Sequence, residues 1–342
     1  MGDGLASGYD LVIFDLDGVV YLIDKPIPGA PEAVERLRGD GIAVAYATNN
    51  ASRRAADVAS LLTGMGVPAK AEEVLNSAGA AAALLASRLP KGAPVLVVGA
   101  EALVAEVREA GLTPVSTFED KPAAVVQGYG PEVGWRVLAE AALSVRAGAT
   151  WVATNTDRTL PSPRGPLPGN GSLVAVLRTA LDREPDLVVG KPEPALFTTA
   201  ASLSGAQHPL VVGDRLDTDI QGAVGAGMDS LLVLTGVSGP AELLAAPPER
   251  RPTFVAADLS GLFCPAEDMR LLLRSDAAGG WRLTRTSDNT ATNGGGRVGL
   301  DGDGDPITAL RLLCGVTWDG VPVEAIEAVS PAAAMLFENW GL

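Results

Sequence analysis

Histidine and cysteine are nearly missing from this chain. Its 342 residues include one histidine, His208, and two cysteines, Cys264 and Cys314. Catalysis by a histidine base and a histidine-rich metal site are therefore not expected. The two cysteines have no histidines at ligand spacing and cannot build a disulfide framework, so we expect both to be ordinary thiols.

Positive charge is scarce as well. The chain has 26 lysine and arginine residues against 41 acidic residues, which gives a formal net charge of −15. Such a surface repels the phosphates of nucleic acids and anionic lipids, so nucleic acid is not expected as a partner. An anionic small substrate would need local positive charge or a metal ion to overcome the same field.

Long apolar runs are also absent. No stretch approaches the roughly 20 apolar residues that are needed to span a bilayer. The first ten residues, "MGDGLASGYD", lack the basic and apolar regions of a signal peptide. We therefore expect no membrane partner and a cytoplasmic location.

The rest of the composition, 47 % hydrophobic over 342 residues, suits two or three globular domains. Apolar runs at "LVIFD", "AVAYAT", "LVVGD" and "SLLVLT" alternate with helical patterns, as in a parallel sheet with crossover helices. We predict an α/β fold with a doubly wound parallel-sheet core, residues 1–80 and 186–265. An inserted α/β domain, residues 81–185, interrupts it, and the core sheet is expected to resume at "LVVGKPEP".

The pattern weakens after residue 265. Strands are expected at "MRLLLR", "GWRLTRT" and "ALRLLCGVTW", which predicts a small α+β extension over residues 266–342. Its "DGDGDP" segment is not an EF-hand calcium loop, because Pro306 stands where the sharp turn needs glycine. Its "NGGG" segment lacks the strand, lysine and hydroxyl residue of a phosphate-binding P-loop.

Polar residues gather at the predicted carboxyl ends of the core strands, where open parallel sheets bind ligands. They are Asp15, Asp17, Thr48, Asn49, Asp214, Asp217 and Asp219, with Lys191 shortly before the third core strand. Carboxylates and a lysine can together hold a divalent cation and a phosphoryl group, since hard oxygen ligands suit Mg²⁺ and Mg²⁺ suits phosphate.

The motifs "DLDGVVY", "ATNNASR", "VVGKPEP" and "GDRLDTDIQGAVGAGM", in this order, resemble the haloacid dehalogenase (HAD) superfamily of phosphatases. "ATNTDRT" and "PGNGS" are similar to its branch with a large α/β cap, which includes 4-nitrophenyl, phosphoglycolate and glycerol-3-phosphate phosphatases. The resemblance implies that residues 81–185 are the cap. Residues 266–342 also resemble an acetyltransferase-like fragment. We expect no acyl transfer from this fragment, because it lacks a glycine-rich pyrophosphate-binding loop.

The same resemblance implies a role for each acidic residue. Asp15 would be the nucleophile that forms an aspartyl-phosphate, and Asp17 would be the general acid and base. The Asp15 and Asp214 carboxylates and the Asp17 backbone carbonyl would hold Mg²⁺. Asp219 would lie in the outer shell, where it bonds metal-bound water or orients Lys191.

The resemblance assigns the phosphoryl group to other residues. The Thr48 hydroxyl and the Asn49 backbone N–H would hold phosphate oxygens, and Lys191 would neutralise charge on the phosphoryl group. Gly18 would let the chain turn away beside the metal.

The resemblance also points to the cap. Asn155, Asp157, Arg158 and Arg164 would meet the non-phosphate end of the substrate, although a loop stabilised by Asx turns explains them almost as well.

The implied function is Mg²⁺-dependent hydrolysis of a small phosphate monoester. Asp17 favours phosphate over halide chemistry, since a dehalogenase has no alkoxide to protonate. Glycerol 3-phosphate is the first choice of substrate, and phosphoglycolate or a broad range including 4-nitrophenyl and sugar phosphates stays open. Two other classes also stay open: a non-catalytic sugar-phosphate sensor, and an acetyltransferase in the extension. The apolar cap helices allow a homodimer through the cap or packing on their own sheet.

Overall fold

Strands and helices alternate through the first part of the chain, as the sequence predicts. The computed structural model describes residues 4–23, 25–160, 162–271, 275–286 and 297–342. Up to residue 76 the elements are β1 (Leu11–Phe14), β2 (Tyr21–Leu22), β3 (Lys25–Pro26), α1 (Ala30–Gly39), β4 (Ala43–Thr48), α2 (Ala55–Gly64) and β5 (Val74–Asn76), with 3-10 helices at Leu5–Gly8 and Ala71–Glu73.

A second alternating series follows and builds the inserted domain. Its elements are α3 (Ser77–Arg88), β6 (Pro94–Val98), α4 (Glu101–Glu109), β7 (Thr113–Val115), β8 (Ala124–Gln127), α5 (Trp135–Arg146), β9 (Thr150–Ala153), β10 (Thr159–Leu160), β11 (Leu167–Pro168), α6 (Asn170–Leu181) and β12 (Leu187–Val188), with a 3-10 helix at Phe118–Asp120.

The chain then returns to the first sheet. The elements are α7 (Ala195–Ser204), β13 (Pro209–Gly213), α8 (Gln221–Ala226), β14 (Asp229–Val233), α9 (Pro240–Leu244) and β15 (Phe254–Ala256), with a π-helical turn at Leu216–Ile220 and 3-10 helices at Pro248–Arg250 and Leu259–Phe263.

The core sheet has the order β15-β14-β13-β1-β4-β5, and all of its strand pairs are parallel. Strand β1 is buried on both faces: Val12 and Phe14 pack with α1 and α2, while Leu11 and Ile13 pack with α7. Successive side chains of a strand point to opposite faces, so an unbroken apolar run fits a sheet that is covered by helices on both sides. The predicted doubly wound α/β core is confirmed.

The inserted domain has its own parallel sheet, in the order β12-β9-β8-β6-β7. Helices α3 and α4 cover one face, and α5 and α6 cover the other. The expectation that the core sheet resumes at Leu187 is wrong, because Leu187 and Val188 pair with Val152 and Ala153 of β9. A two-residue apolar strand carries no sign of which of two neighbouring parallel sheets it joins, and pairing decides it.

The C-terminal extension combines a small sheet with two longer helices. Its elements are α10 (Ala266–Met269), β16 (Ala277–Ala278), β17 (Trp281–Thr286), β18 (Arg297–Gly302), α11 (Pro306–Trp318), β19 (Ile326–Ala328) and α12 (Pro331–Trp340), with a 3-10 helix at Val323–Ala325. The sheet has the order β16-β17-β18-β19. The expected strand in "GWRLTRT" is present as β17. Residues 272–274 of "MRLLLR" and the "NGGG" segment lie outside the described residues.

The strand expected in "ALRLLCGVTW" is wrong, since this segment lies in helix α11. The Asp305 carboxylate caps the helix by accepting a 2.8 Å hydrogen bond from the Thr308 N–H, and Pro306 occupies the first turn. Residues 309–316 are all buried. A helix that is covered on every side shows the same continuous apolar run as a buried strand, so periodicity alone does not separate the two.

The described residues of the extension share their core with the rest of the chain. Their buried side chains form one continuous apolar cluster with residues of the core-sheet domain, including Leu216, Ile220, Leu243 and Leu244. Among the described residues, no helix has the length and apolar character needed to cross a membrane.

Candidate active site

Asp15 directly follows the central strand β1 and is the first residue of the site along the chain. Its N–H donates a 2.8 Å hydrogen bond to the Val212 carbonyl of the neighbouring strand β13, which extends the strand pairing to the carboxyl edge. The side chain is buried, and its carboxylate accepts a hydrogen bond from the Lys191 ammonium. Burial and the nearby charges of Asp219 and Asp214 hold the pKa of Asp15 well above its usual value, against the lowering effect of Lys191.

Lys191 is the cation at the centre of the site. Its side chain is 3 % exposed, and its Nζ pairs with the Asp15 carboxylate, lies 2.8 Å from Asp219 Oδ1 and donates a 3.0 Å hydrogen bond to the Ala47 carbonyl. Burial lowers the pKa of Lys191, but the charges of Asp15 and Asp219 outweigh it and the net pKa is raised. The lysine therefore stays charged and draws two carboxylates together.

Asp219 faces Lys191 rather than solvent. Its side chain is fully buried, and its Oδ2 accepts a 3.1 Å hydrogen bond from the Arg215 N–H. The resemblance implied that Asp219 bonds metal-bound water or orients Lys191. The position beside the Lys191 ammonium fits the second of these roles. Asp217, by contrast, turns away and forms hydrogen bonds of 3.0 and 2.9 Å with the Arg215 guanidinium.

Asp214 follows strand β13 and uses its two carboxylate oxygens differently. Oδ2 accepts a 2.7 Å hydrogen bond from the Val237 N–H, whereas Oδ1 is buried and accepts no hydrogen bond from any residue in the described ranges. Burial, followed by the charge of Asp219, raises the pKa of Asp214 to about 7.

A loop that the sequence reading missed holds these residues in place. The loop, residues 234–239, connects β14 to α9. Its Thr235 hydroxyl donates a 2.6 Å hydrogen bond to the Gly18 carbonyl, and its Ser238 N–H donates a 3.0 Å bond to the Asp214 carbonyl. Gly236 lies so close that a Cβ there would be 1.9 Å from Asp214 Oδ2. The small residues of "TGVSG" give no distinctive signal in the sequence.

Asp17 and Gly18 form the turn after Asp15. Within the described part of the chain the Asp17 carboxylate accepts no hydrogen bond, and burial raises its pKa, against the lowering effects of Lys191 and Arg53. A carboxyl group with a raised pKa suits proton donation. Gly18 has a φ of +88°, and a Cβ on it would lie 2.6 Å from Asp214 Oδ2, so no larger residue fits beside that carboxylate.

The end of β4 contributes Thr48 and Asn49. Thr48 is buried, and its hydroxyl oxygen accepts a 3.1 Å hydrogen bond from the Asn50 N–H. Asn49 Nδ2 donates to the Lys191 carbonyl at 3.0 Å and to both carboxylate oxygens of Asp157 at 3.1 and 3.0 Å. Asp157 belongs to the loop after cap strand β9. The Asn49 side-chain amide therefore joins the core sheet to the cap sheet beside Lys191.

The predicted cap residues separate into two groups. Asn155 is buried and donates a 2.7 Å hydrogen bond to the Asn49 carbonyl, and the half-buried Asp157 has a pKa that burial raises. Arg158 and Arg164 are exposed. The structure therefore brings Asn155 and Asp157 to the core site, and it leaves the two arginine side chains in solvent.

The site fits a divalent metal ion. Carboxylate oxygens of Asp15, Asp214 and Asp219 lie within 4.8 Å of one another. Among the described residues, Asp214 Oδ1 is a buried acceptor without a donor. Burial first, and then the charges of neighbouring carboxylates, raise the pKa of Asp15 and of Asp214. A hard dication next to these oxygens would bind the unpaired acceptor and offset the repulsion between the carboxylates. Oxygen ligands of this kind are the ones that Mg²⁺ prefers.

Comparison with known families and proteins agrees with this geometry. Residues 12–113 match the family described as haloacid dehalogenase-like hydrolase, and residues 188–262 match a HAD-hydrolase-like family. The chain is 43 % identical over 99 % of its length to D-glycerol 3-phosphate phosphatase of Mycobacterium tuberculosis, of which the match covers 96 %. It is 38 % identical over 67 % of its length to acid sugar phosphatase of Staphylococcus aureus, of which 88 % is covered.

Solved structures give the same assignment. The crystal structure of glycerol phosphate phosphatase from M. tuberculosis in complex with magnesium superposes with a TM-score of 0.88, at 43 % identity and 99 % coverage of both chains. The 4-nitrophenylphosphatase of Thermotoga maritima superposes with a TM-score of 0.70, at 31 % identity, over 77 % of this chain and 98 % of its own. The resemblance read from the motifs is confirmed: this chain belongs to the haloacid dehalogenase-like hydrolases with an α/β cap, and it is a phosphoric monoester hydrolase.

Proposed function

We propose that this phosphatase hydrolyses glycerol 3-phosphate in the presence of Mg²⁺, through an aspartyl-phosphate on Asp15. The observation that carries the substrate is the extent of the match to the M. tuberculosis enzyme. That similarity spans 99 % of this chain and includes the C-terminal extension, whereas the acid sugar phosphatase match covers 67 %. The magnesium-bound structure of the same relative and the orphaned oxygen of Asp214 support the metal.

In the first step Asp15 attacks phosphorus. A new bond forms between its carboxylate oxygen and phosphorus, and the bond between phosphorus and the glycerol oxygen breaks. Asp17 gives its proton to that leaving oxygen, which the raised pKa of Asp17 favours. Lys191 orients the Asp15 carboxylate through their hydrogen bond and offsets negative charge on the phosphoryl group.

In the second step water attacks the phosphorus of the aspartyl-phosphate. Asp17, now deprotonated, accepts a proton from that water, and the bond between phosphorus and the Asp15 oxygen breaks to release inorganic phosphate. Asp15, Asp214 and the Asp17 backbone carbonyl are the groups that would hold Mg²⁺. When bound, Mg²⁺ neutralises charge on the carboxylates and on a phosphate oxygen.

We also propose the phosphate and substrate contacts from the same arrangement. Thr48 and the Asn49 backbone N–H lie at the end of β4 next to the Lys191 side chain and would bind phosphate oxygens. Asn155 and Asp157 reach this point from the cap and would face the glycerol end. Arg158 is proposed to approach the substrate from the loop beside Asp157.

The test compares specificity constants for phosphate monoesters and includes an Asp15→Asn variant. With Mg²⁺, glycerol 3-phosphate is expected to give a higher kcat/KM than phosphoglycolate, 4-nitrophenyl phosphate or a hexose phosphate, and chelation of the metal should abolish phosphate release. Asp15→Asn should lower kcat by about 10⁴-fold or more, because the nucleophile is removed. Asp40→Asn removes the same charge at an exposed position and serves as the control.

Two results would contradict the proposal at different points. A higher kcat/KM for phosphoglycolate or 4-nitrophenyl phosphate overturns the substrate. Near-normal turnover by a folded Asp15→Asn protein overturns the nucleophile.

The oligomeric state and the location stay predictions. Apolar side chains on cap helices α5 and α6, including Trp135 at 80 % exposure, Leu143 and Val176, support a homodimer through the cap. Light scattering on the purified protein tests the dimer, and a monomer at micromolar concentration would contradict it. Cell fractionation tests the cytoplasmic location, and recovery in the membrane or secreted fraction would contradict that prediction.

A further inference from the structure

The loop 234–239 connects the metal-binding carboxylate to a part of the chain that takes no part in the chemistry. Its Val237 N–H holds one oxygen of Asp214, and its Ser238 N–H holds the Asp214 carbonyl. The buried Ser238 hydroxyl also accepts a 3.0 Å hydrogen bond from the Leu216 N–H, two residues beyond Asp214. The position of this loop therefore determines which oxygen of Asp214 is free to face the ion.

The loop runs directly into helix α9, and α9 is anchored from the other side by the C-terminal extension. Leu243 and Leu244 of α9 are fully buried in the apolar cluster that they share with α11. Helix α9 is only five residues long, too short for its own hydrogen bonds to fix its place. Packing against the extension supplies that constraint.

Polar contacts fix the extension against this region. On α11, the Trp318 indole N–H donates a 3.2 Å hydrogen bond to the Leu243 carbonyl, at the end of α9, and the Arg251 guanidinium lies 4.9 Å from the Trp318 ring centroid. The buried Arg311, also on α11, donates hydrogen bonds of 2.6 Å to the Glu267 and Arg270 carbonyls. The Trp318 hydrogen bond and the cation–π pair join α11 to the catalytic half, which is the core-sheet domain that precedes the extension. The Arg311 hydrogen bonds join α11 to the α10 segment within the extension itself.

We propose that the C-terminal extension is a positioning element for the metal site, and that Trp318 is the positioning residue that transmits its placement. The connection runs from Trp318 to Leu243, along α9 to the loop 234–239, and through Val237 to Asp214. This inference rests on the proposed Mg²⁺ dependence. It assigns the extension a part in metal binding rather than a second activity.

The test measures Mg²⁺ binding by isothermal titration calorimetry on the full chain, without substrate. Trp318→Ala is expected to raise the Mg²⁺ dissociation constant by about fivefold, less than the 10–100-fold typical for groups bonded directly to a metal ligand. Trp318→Phe keeps the ring over Arg251 but loses the hydrogen bond to Leu243, and about a twofold increase is expected.

Phe337→Ala is the matched control. Phe337 is a buried aromatic residue of the same apolar cluster, but it lies on α12, which packs on strands β18 and β19. Its loss should lower the thermal unfolding midpoint and change the Mg²⁺ dissociation constant by less than about 1.5-fold, since the principal packing of its helix is on β18 and β19 rather than on α9. If Trp318 contributed to stability alone, Trp318→Ala and Phe337→Ala would change the Mg²⁺ dissociation constant equally.

An increase for Trp318→Ala no larger than that for Phe337→Ala overturns the proposal. If Trp318→Ala does not fold, the Trp318→Phe variant tests the proposal instead. An unchanged Mg²⁺ dissociation constant in Trp318→Phe also overturns the proposal. Failure of the proposed function has a different signature, in which the wild-type chain binds Mg²⁺ but does not hydrolyse glycerol 3-phosphate. A wild-type chain that does not bind Mg²⁺ overturns both.

Discussion

At the scale of single residues, the site depends on carboxylates that are fixed on one side and free on the other. Asp214 has Oδ2 bonded to the Val237 N–H and Oδ1 without a donor among the described residues. Asp219 is bonded to the Arg215 N–H and paired with Lys191. A fixed carboxylate loses little rotamer entropy when an ion binds, so such a site is arranged in advance.

Gly236 is the residue whose substitution should damage this arrangement most directly. In a Gly236→Ala variant the new Cβ would lie 1.9 Å from Asp214 Oδ2, so the carboxylate or the loop must move. We expect a loss of Mg²⁺ affinity of about tenfold or more, measured by calorimetry.

Gly239 offers the matched control. It lies three residues further along the same loop and has a φ of −102°, and a Cβ added to it would meet no atom within 4 Å. Gly239→Ala should therefore leave Mg²⁺ affinity unchanged. Equal effects of the two substitutions would show that the loop tolerates the added methyl group and that the close approach of Gly236 has no importance.

The proximity of Asp15 and Lys191 was predictable from the sequence, and their supporting contacts were not. The order of these residues and their place after strands indicated a shared site, and the roles of Asp15, Asp17 and Lys191 stay proposals. Thr235 and Ser238 escaped, since a short loop of small residues between a strand and a helix has no distinctive pattern. Their importance comes from hydrogen bonds to residues some 20 to 220 positions away, which only the folded chain brings together.

At the scale of secondary-structure elements, neighbouring units are joined by a few specific contacts. Helix α1 is linked to the segment before β5 by Arg38, which donates hydrogen bonds of 2.9 and 2.7 Å to the Glu73 carboxylate and one of 3.1 Å to the Pro68 carbonyl. Both charged groups are half-buried. Burial raises the pKa of Glu73, but the hydrogen bonds and charge of Arg38, together with the hydrogen bond from the Lys70 N–H, outweigh it and the net pKa is below its usual value.

This pair gives a pH-dependent prediction. Because the pKa of Glu73 is lower in the folded state, its contribution to stability is complete above the unfolded pKa, near 4.3, and is lost as the pH falls through the folded value. Glu73→Gln should lower the free energy of unfolding by about 1 kcal/mol at pH 7. The difference from wild type should shrink below about pH 4.

Denaturant unfolding at several pH values measures the effect, and Glu72→Gln provides the control. Glu72 is the exposed neighbour of Glu73, and its substitution removes the same charge. A destabilisation by Glu73→Gln that equals that of Glu72→Gln, or that stays constant down to pH 3, would contradict the prediction.

The type of an element was predictable where only one of its faces is buried. It was uncertain where the element is buried on every side. Helix α1 shows its apolar face and its proline start in the sequence, and it forms as expected. The segment of α11 has apolar residues on every side because the small sheet covers one face and α9 another. Its cap, Asp305 followed by Pro306, was the local sign that it would be a helix.

At the scale of the whole molecule, two parallel sheets meet at the candidate site, and a small mixed sheet belongs to the extension that packs on the core domain. The sequence predicted the first two, because each has its own run of alternating elements. It did not predict that the third would share its apolar cluster with the catalytic half, since hydrophobic patterns show that a face is covered but not by which segment.

That shared cluster predicts the result of truncation. A chain that ends at residue 265 exposes the apolar surface of Leu243, Leu244 and Val255, which the extension now covers. We expect this fragment to aggregate or to lose cooperative thermal unfolding, because a large apolar patch is left in water.

A chain that ends at residue 329 is the milder comparison. It lacks only α12 and is expected to unfold cooperatively at a lower temperature, because α9 and α11 still pack together. Calorimetric unfolding of both proteins measures the difference. A soluble fragment 1–265 with one sharp transition would show that the catalytic half does not need the extension.

The two thiols lie on either side of the junction between α11 and the catalytic half. Cys264 is partly accessible just before α10, whereas Cys314 is completely buried on α11, and burial raises the pKa of its thiol. A thiol-reactive dye would therefore label one cysteine while the helix is seated and two once it separates. The number of labelled thiols therefore reports whether α11 is packed against the catalytic half.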